Sequence, residues 1–179
     1  MQLSISIERT GPDGLSIHIP DLAELTASDA PQPASQLPSS RYRLLDAGGQ
    51  PTRDTPVLVH DTTTNLIWTA ADSITRDRVN HTRATEAARS LRYMGADDWR
   101  LPTMHELLSI VDYGRHEPAI DTAAFRCHAR PYWSSSLFAG DSGFAWFVGF
   151  HYGGASVCSR DVDSAFVRAV RGPVRAASQ

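Results

Sequence analysis

The segment from Gly149 to Asp163, GFHYGGASVCSRDVD, carries an unusually varied set of reactive and hydrogen-bonding groups. Imidazole, phenol, hydroxyl, thiol, guanidinium and carboxylate side chains all occur in this one short stretch. Such groups serve catalysis, metal binding or the recognition of a partner surface. Glycines and small residues interrupt the segment, which indicates turns and short strands and not a helix.

The motifs that would indicate catalysis or metal binding are incomplete. A zinc site of the His-Glu-x-x-His type fails in HELLS, because Ser109 stands where the second histidine would follow His105 and Glu106. GASVC lacks the closing glycine of a nucleophile elbow. The other histidines show no ligand spacing. We therefore expect no catalytic residue, no metal ion and no cofactor.

The composition excludes further classes of function. All 17 basic residues are arginine, so every mechanism that needs a lysine is impossible, including the Walker A phosphate loop and Schiff-base catalysis. The formal net charge is -3 and the arginines are dispersed, so we expect neither nucleic acid nor a membrane surface as a partner. No apolar run is long enough to span a bilayer, and MQLSISIER lacks the features of a signal peptide. These features predict a soluble protein.

The elements that must position these groups are predicted over residues 41–175. YRLL and PVLVHDTTTNLIWT indicate strands, with Asn65 in a turn that favours the left-handed region. A helix that ends before Gly95 is predicted from an alanine-rich stripe, which comprises Ala84, Ala87, Ala88 and Leu91. Thr103 and Glu106 form a capping box that begins a second helix. Short strands follow, so the predicted class is α+β.

The N-terminal residues form a separate pattern. LSISIERTGPDGLSIHI alternates apolar and polar residues around a turn, which predicts a β-hairpin within 1–20. Proline, serine and glutamine then indicate a linker over 21–40. A lone hairpin is marginally stable in water. We therefore expect it to pack on its own domain, or to serve oligomerisation or docking on a partner, and the sequence does not choose between these.

Six motifs in order resemble the Lcl C-terminal-like domain family of bacteria and phages: HDTTTNLIW, the alanine-rich helix, DDWRLPTMHELLSIVDYGRHEPAIDTAAF, PYWSSS, AWFVGFHYGG and VRAVRG. The resemblance covers about 57–172 and implies a C-type-lectin-like fold. The four tryptophans lie in these motifs next to apolar residues and are expected to be core residues, and the residues around the capping box are expected to be structural. These residues are Trp68, Trp99, Arg100, Thr103, Glu106, Trp133 and Trp146.

Departures from the family pattern bear on the compartment. Family members carry two cysteines that are expected to pair, and Ala88 and Ala169 stand at the corresponding positions here. Loss of both suits a reducing compartment, so we expect the cytoplasm or a phage particle assembled there. The cysteines that are present, Cys127 and Cys158, are expected to be free thiols.

Two functions suggested by the fold lack their motifs. Calcium-dependent sugar binding needs clustered carboxylate and amide oxygens, but HEPAID has Ala119 in the amide position, so Glu117 and Asp121 are expected to be surface or capping residues. An oxidase of the formylglycine-generating type needs a copper-binding cysteine pair. Cys127 and Cys158 lack the local motif of that enzyme, so this hypothesis ranks last.

Late loops of this fold usually form an exposed binding face, which favours recognition of a protein or cell-surface ligand. Some relatives in fold are variable proteins of diversity-generating retroelements, whose mutagenesis cannot produce Lys, Glu, Gln, Met or Trp. Residues 134–177 contain none of the first four, and Trp146 is their only tryptophan. The alternative is a phage or cell-surface adhesion module with a fixed receptor. The predicted ligand-binding residues are Phe138, Asp141, Ser142, His151, Tyr152, Ser156, Cys158, Arg160 and Asp161.

Overall fold

The computed structural model describes two short strands, 6–9 and 15–18, and residues 41–172. The chain divides into two units between residues 36 and 37. In the first unit, β1 (Ser6–Arg9) and β2 (Leu15–His18) pair antiparallel, as the alternating pattern predicts. The predicted linker 21–40 and the predicted domain end at 173–175 lie outside the described residues, and the docking role of the hairpin stays a prediction.

The described part of the second unit, 41–172, contains two helices and two antiparallel sheets, so the α+β prediction is confirmed. Its first sheet has the strand order β3–β4–β5–β9 and its second sheet the order β6–β7–β8. The elements are β3 (Tyr42–Leu45), β4 (Leu58–Asp61), β5 (Leu66–Thr69), α1 (His81–Ser90), α2 (Met104–Ser109), β6 (Pro131–Leu137), β7 (Phe144–Gly149), β8 (Gly154–Ser159) and β9 (Val170–Arg171). No described helix has the length and hydropathy that crossing a bilayer requires.

The turn between β4 and β5 forms for the reason that the sequence predicts. Asn65 has φ 58°, in the left-handed region that asparagine tolerates better than most residues. Asp61 precedes it and is fully buried, and it accepts hydrogen bonds from Arg41 Nε at 2.8 Å and Thr64 Oγ1 at 2.7 Å. Burial opposes ionisation of Asp61, but these donors outweigh it and lower the pKa of the carboxyl.

Helix α1 is shorter than the alanine stripe predicts. Asn80 caps it by accepting a hydrogen bond from the Arg83 N–H, and the helix ends at Ser90, before Gly95. Met94 and Gly95 have φ values of 53° and 72°, and they form a tight turn in which Tyr93 pairs with Ala96. Gly95 therefore serves this turn and does not stop the helix.

Helix α2 begins with the predicted capping box. Thr103 Oγ1 accepts a hydrogen bond from the Glu106 N–H, and Glu106 Oε2 accepts one from the Thr103 N–H at 2.7 Å. The Glu106 carboxylate also accepts a hydrogen bond from each terminal nitrogen of Arg100, at 2.7 and 2.8 Å. The same buried carboxylate thus begins the helix and holds the preceding loop.

Three of the four predicted structural tryptophans lie in the core. Trp68, Trp99 and Trp133 are at most 2% exposed. Trp146 is only half-buried, so its prediction as a core residue is wrong. It lies on β7 of the second sheet, and its ring meets that of Phe138 at a centroid distance of 6.2 Å.

The second sheet lies between the two helices. Ala84 and Ala88 of α1 share a core cluster with Trp133 and Ala145 on one side of the sheet. On the other side, Leu107 of α2 packs in the main core with residues of β6 and β7. Both helices contact β6, and α2 also contacts β7. This arrangement leaves β8 as an outer strand.

Candidate functional site

The side chains of the β7–β8 hairpin alternate between the two faces of the second sheet. Trp146 lies opposite Val157, and the neighbouring pair Ala145 and Cys158 points to the other face. Ala145 is buried against α1. The Trp146 row therefore lies on the α2 side of the sheet.

Part of that side is uncovered, and we call it the aromatic face: Phe138, Phe144, Trp146 and Val157. Phe138 and Phe144 are 37% and 38% exposed, and the Phe138 ring meets Trp146 edge to face. Phenylalanine side chains usually lie inside a domain, and burying one stabilises a protein by about 1.5–3 kcal/mol. Their exposure together leaves an apolar patch that would gain free energy from being covered.

The turn between β7 and β8 carries two of the predicted residues. His151 is exposed and its Nδ1 lies 3.2 Å from Glu117 Oε1. Tyr152 is 69% exposed, and its ring packs over Gly154. Gly153 has φ 85° and lies close to Tyr113, a second exposed tyrosine that the sequence did not reveal as a candidate.

The opposite end of the hairpin carries four more predicted residues. Asp141 Oδ1 accepts a hydrogen bond from the Gly143 N–H at 2.8 Å, which shapes the β6–β7 turn. Ser142 and Asp161 are exposed there. Arg160 differs from the prediction, because its terminal nitrogen donates to the Ser142 carbonyl at 3.0 Å. Its half-buried guanidinium thus holds the turn.

Arg160 also ties this end to α1. Its Nε donates to His81 Nδ1 at 3.1 Å, and His81 Nε2 donates to the Ser134 carbonyl at 2.9 Å. This pattern requires a neutral imidazole with its proton on Nε2. Burial, together with the positive charge of Arg160, lowers the pKa of His81 against the opposing effect of the Ser134 carbonyl.

Cys158 likewise differs from the prediction. It lies opposite Ala145 on the α1 side of the sheet and packs against the Trp133 cluster. Burial, followed by the charge of Asp163, raises the pKa of its thiol to about 11. Cys127 is also free and burial raises its pKa, so both cysteines are free thiols as predicted.

The predicted ligand-binding residues therefore do not form one compact cluster. Phe138, Asp141, Ser142 and Asp161 lie at one end of the hairpin, and His151 and Tyr152 lie at the other. Strands of six residues separate the two ends by about 20 Å. Ser156 lies between them, exposed on the α1 side. Sequence reasoning missed Phe144, although the alternation within FAWFVG places it in the same row as Trp146.

The model of the Lcl C-terminal domain family matches residues 57–171. The chain belongs to this family. No curated protein matches the sequence.

The two alanines that stand where paired cysteines were expected are buried. Ala88 packs in the cluster around Trp133, and Ala169 packs with Trp99. In HEPAID, Glu117 is exposed, and Asp121 Oδ1 accepts a hydrogen bond from the Ala123 N–H at 3.0 Å. Surface and capping roles were predicted for these two carboxylates.

Two concave pockets within 41–172 lie elsewhere. One of about 340 Å³ is lined by 54–56 and 122–126, and one of about 280 Å³ lies between β3 and 110–113. None of the predicted ligand-binding residues lines either pocket. Within 41–172, no three His, Cys, Asp or Glu side chains are placed to hold a metal ion. The hairpin thus offers an exposed surface and not a cleft.

Proposed function

We propose that this protein is a non-enzymatic ligand-binding protein whose recognition surface is the aromatic face and the turns at its two ends. The observation that supports this most directly is the exposure of Phe138 and Phe144 around Trp146. Aromatic side chains are enriched in the binding energy of protein interfaces. Each supplies a large contact area for little loss of conformational entropy.

The ends of the hairpin add polar groups to this surface. Tyr152 offers a phenol and His151 an imidazole at one end, and Asp161 offers a carboxylate at the other. An apolar centre with a polar rim is the usual arrangement of a protein interface. We therefore propose a protein or a cell-surface molecule as the ligand, bound to a broad surface.

The state of the thiols supports binding over oxidase chemistry. A copper-binding or nucleophilic cysteine acts as a thiolate. Burial raises the pKa of both Cys127 and Cys158, which keeps them protonated at neutral pH. Cys127 and Cys158 also pack against different core clusters.

The family and the α+β arrangement support a C-type-lectin-like scaffold for this surface. In its sharper form, the proposal makes the protein a diversified variable protein of a retroelement. A comparison of 134–172 among isolates tests this form. Substitutions should then concentrate at exposed positions such as Tyr152 and Asp161 and spare Arg160 and Cys158. An invariant segment supports the alternative, an adhesion module with a fixed receptor.

A pull-down tests the binding function itself. The immobilised protein is incubated with detergent-solubilised surface proteins of bacterial cells, and captured proteins are identified by mass spectrometry. Phe144→Ser together with Phe138→Ser should weaken capture at least tenfold, because an aromatic centre of an interface contributes about 2 kcal/mol or more. Val162→Ser is the control, since Val162 is 86% exposed and lies outside the aromatic face. Equal capture by both variants would contradict the proposal.

A further inference from the structure

The outer edge of β8 has backbone groups that no described residue satisfies. Arg160 N–H donates to the Gly143 carbonyl, so in this register Cys158 and Ser156 bond towards β7. The N–H and C=O groups of Ala155 and Val157 therefore point away from the sheet. Within the described part of the chain, no hydrogen bond reaches them.

The next outward residue, Ser159, is already paired. Its N–H donates to Asp163 Oδ2 at 2.8 Å, and its carbonyl accepts from the Asp163 N–H at 3.2 Å. Asp163 thus closes the edge at its C-terminal end. The turn at Tyr152 and Gly153 bounds the edge at its N-terminal end. The open part of the edge, which we call the window, runs from Ala155 to Val157 and is centred on Ser156.

Of the other outer strands of 41–172, β6 and β9 are covered and β3 is covered in part. On the outer side of β6, the Trp133 N–H donates to the Phe166 carbonyl at 3.0 Å, and the Ser135 N–H donates to the Pro102 carbonyl at 2.7 Å. Beside β3, the Leu44 carbonyl accepts from Thr52, and β9 exchanges two bonds with Arg100. Protein edges that stay unpaired are commonly protected by lysine, proline or a bulge. The sequence of β8, GASVCS, contains no charged residue and no proline.

We propose that β8 pairs antiparallel with β8 of a second copy of this chain, about a two-fold axis through Ser156. In this register Ala155 of each copy lies opposite Val157 of the other, and the outward groups of both residues form hydrogen bonds. A slip centred on Val157 would set Ala155 against Ser159, whose groups Asp163 occupies. The window therefore selects one register, and an isologous pair satisfies both edges and closes the assembly.

The ends of the strand are complementary in the same arrangement. Tyr152 is exposed just before β8, and Asp161 is exposed just after it. Antiparallel pairing brings the phenol of one copy towards the carboxylate of the other, so donor meets acceptor at both ends. The small side chains of Ala155 and Ser156 allow the close approach.

The dimer has a consequence for recognition. A two-fold axis perpendicular to the sheet keeps the same face of both copies on the same side. The two aromatic faces then lie side by side on a six-stranded sheet and form a bivalent surface. Bivalent attachment strengthens binding to a ligand that is repeated on a surface.

Sedimentation equilibrium of the full chain, from micromolar to millimolar concentration, tests the proposal. We expect a concentration-dependent doubling of mass for the unaltered protein. Val157→Lys places a charge on the open edge and should leave a monomer over the whole range. Val162→Lys adds the same charge outside the strand and should dimerise like the unaltered protein. A monomer at every concentration, or equal dimerisation of both variants, would overturn the proposal.

Amide hydrogen exchange of the unaltered protein decides the case even if Val157→Lys fails to fold. The Ala155 and Val157 amides should exchange quickly at micromolar concentration and become protected as dimer forms. The inward Ser156 amide should be protected throughout. Concentration-independent protection of Ala155 and Val157 would mean that another segment of the same chain covers the edge, which contradicts pairing between copies.

Discussion

Glu106 joins helix α2 to the loop before it, and its removal should destabilise the fold more than loss of the helix cap alone. The Glu106 carboxylate accepts two hydrogen bonds from Arg100 and one from the Thr103 N–H. Breaking a fully buried ion pair costs about 3–5 kcal/mol. The Arg100 side chain is 23% exposed, so water recovers part of that loss. We expect Glu106→Ala to lower the free energy of unfolding by about 3 kcal/mol.

Thr103→Ala is the matched variant, because it removes the other half of the capping box and leaves the Arg100 pair intact. Its expected cost is about 1 kcal/mol. Urea denaturation followed by circular dichroism measures the free energy of unfolding of both variants. Thermal denaturation followed by the same signal measures their melting temperatures. The expected falls in melting temperature are about 2–4 °C for Thr103→Ala and about 6–12 °C for Glu106→Ala. Equal costs for the two variants would refute the reasoning, since the ion pair would then contribute nothing.

The pH dependence provides a second check on Glu106. Burial raises its pKa, but the hydrogen bonds from Arg100 and Thr103 prevail, and the net pKa is lowered. A lowered folded-state pKa gives stability that is present above the unfolded value and is lost as the pH falls through the folded value. The difference in stability between the unaltered protein and Glu106→Gln should therefore shrink below about pH 4.

Two further predictions concern buried cations and imidazoles. Arg168 is fully buried and donates hydrogen bonds to the carbonyls of Thr69, Ala71 and Arg126. In urea denaturation, Arg168→Met should therefore lower the free energy of unfolding by about 3 kcal/mol. Arg126 is exposed, and Arg126→Met should lower it by less than about 0.5 kcal/mol. Similar costs would contradict this role. The pKa of His81 is lowered in the fold, so stability is complete above the unfolded value near 6.5 and falls below it. The melting temperature should fall more steeply between pH 6.5 and 5 for the unaltered protein than for His81→Gln, and parallel curves would contradict it.

Local signals predicted the parts of the fold that depend on neighbours in sequence. Thr103 and Glu106 lie three positions apart, and Asn65 lies in its own turn, so both features were visible without tertiary information. The end of α1 was misplaced because the alanine stripe continues to Leu91 and Gly95 resembles a helix stop. The pairing of Tyr93 with Ala96 decides that boundary, and it depends on two positive φ values in succession.

The candidate site depended on contacts that sequence alone could not give. Cys158 turns inward because it pairs with Ala145 under α1. Trp146 resembled a core residue because its neighbours in β7 are buried on both sides of the sheet. Its exposure follows from the position of α2, which contacts β6 and β7 but leaves the outer part of the sheet open. No periodicity in the chain encodes where that helix stops covering the strands.

The two ends of the hairpin are built differently, and this difference bears on which positions could vary in a recognition surface. At one end, Arg160 bonds both Ser142 and His81, so the backbone of that turn is fixed through α1. A substitution of Arg160 would leave His81 Nδ1 without its donor and release the turn. At the other end, Tyr152 is 69% exposed, and its ring meets that of His151 and packs over Gly154, whose lack of a side chain makes room for it. We therefore expect changes at Tyr152 to leave the scaffold intact, as a variable position of the proposed surface requires, whereas changes at Arg160 would act through the fold.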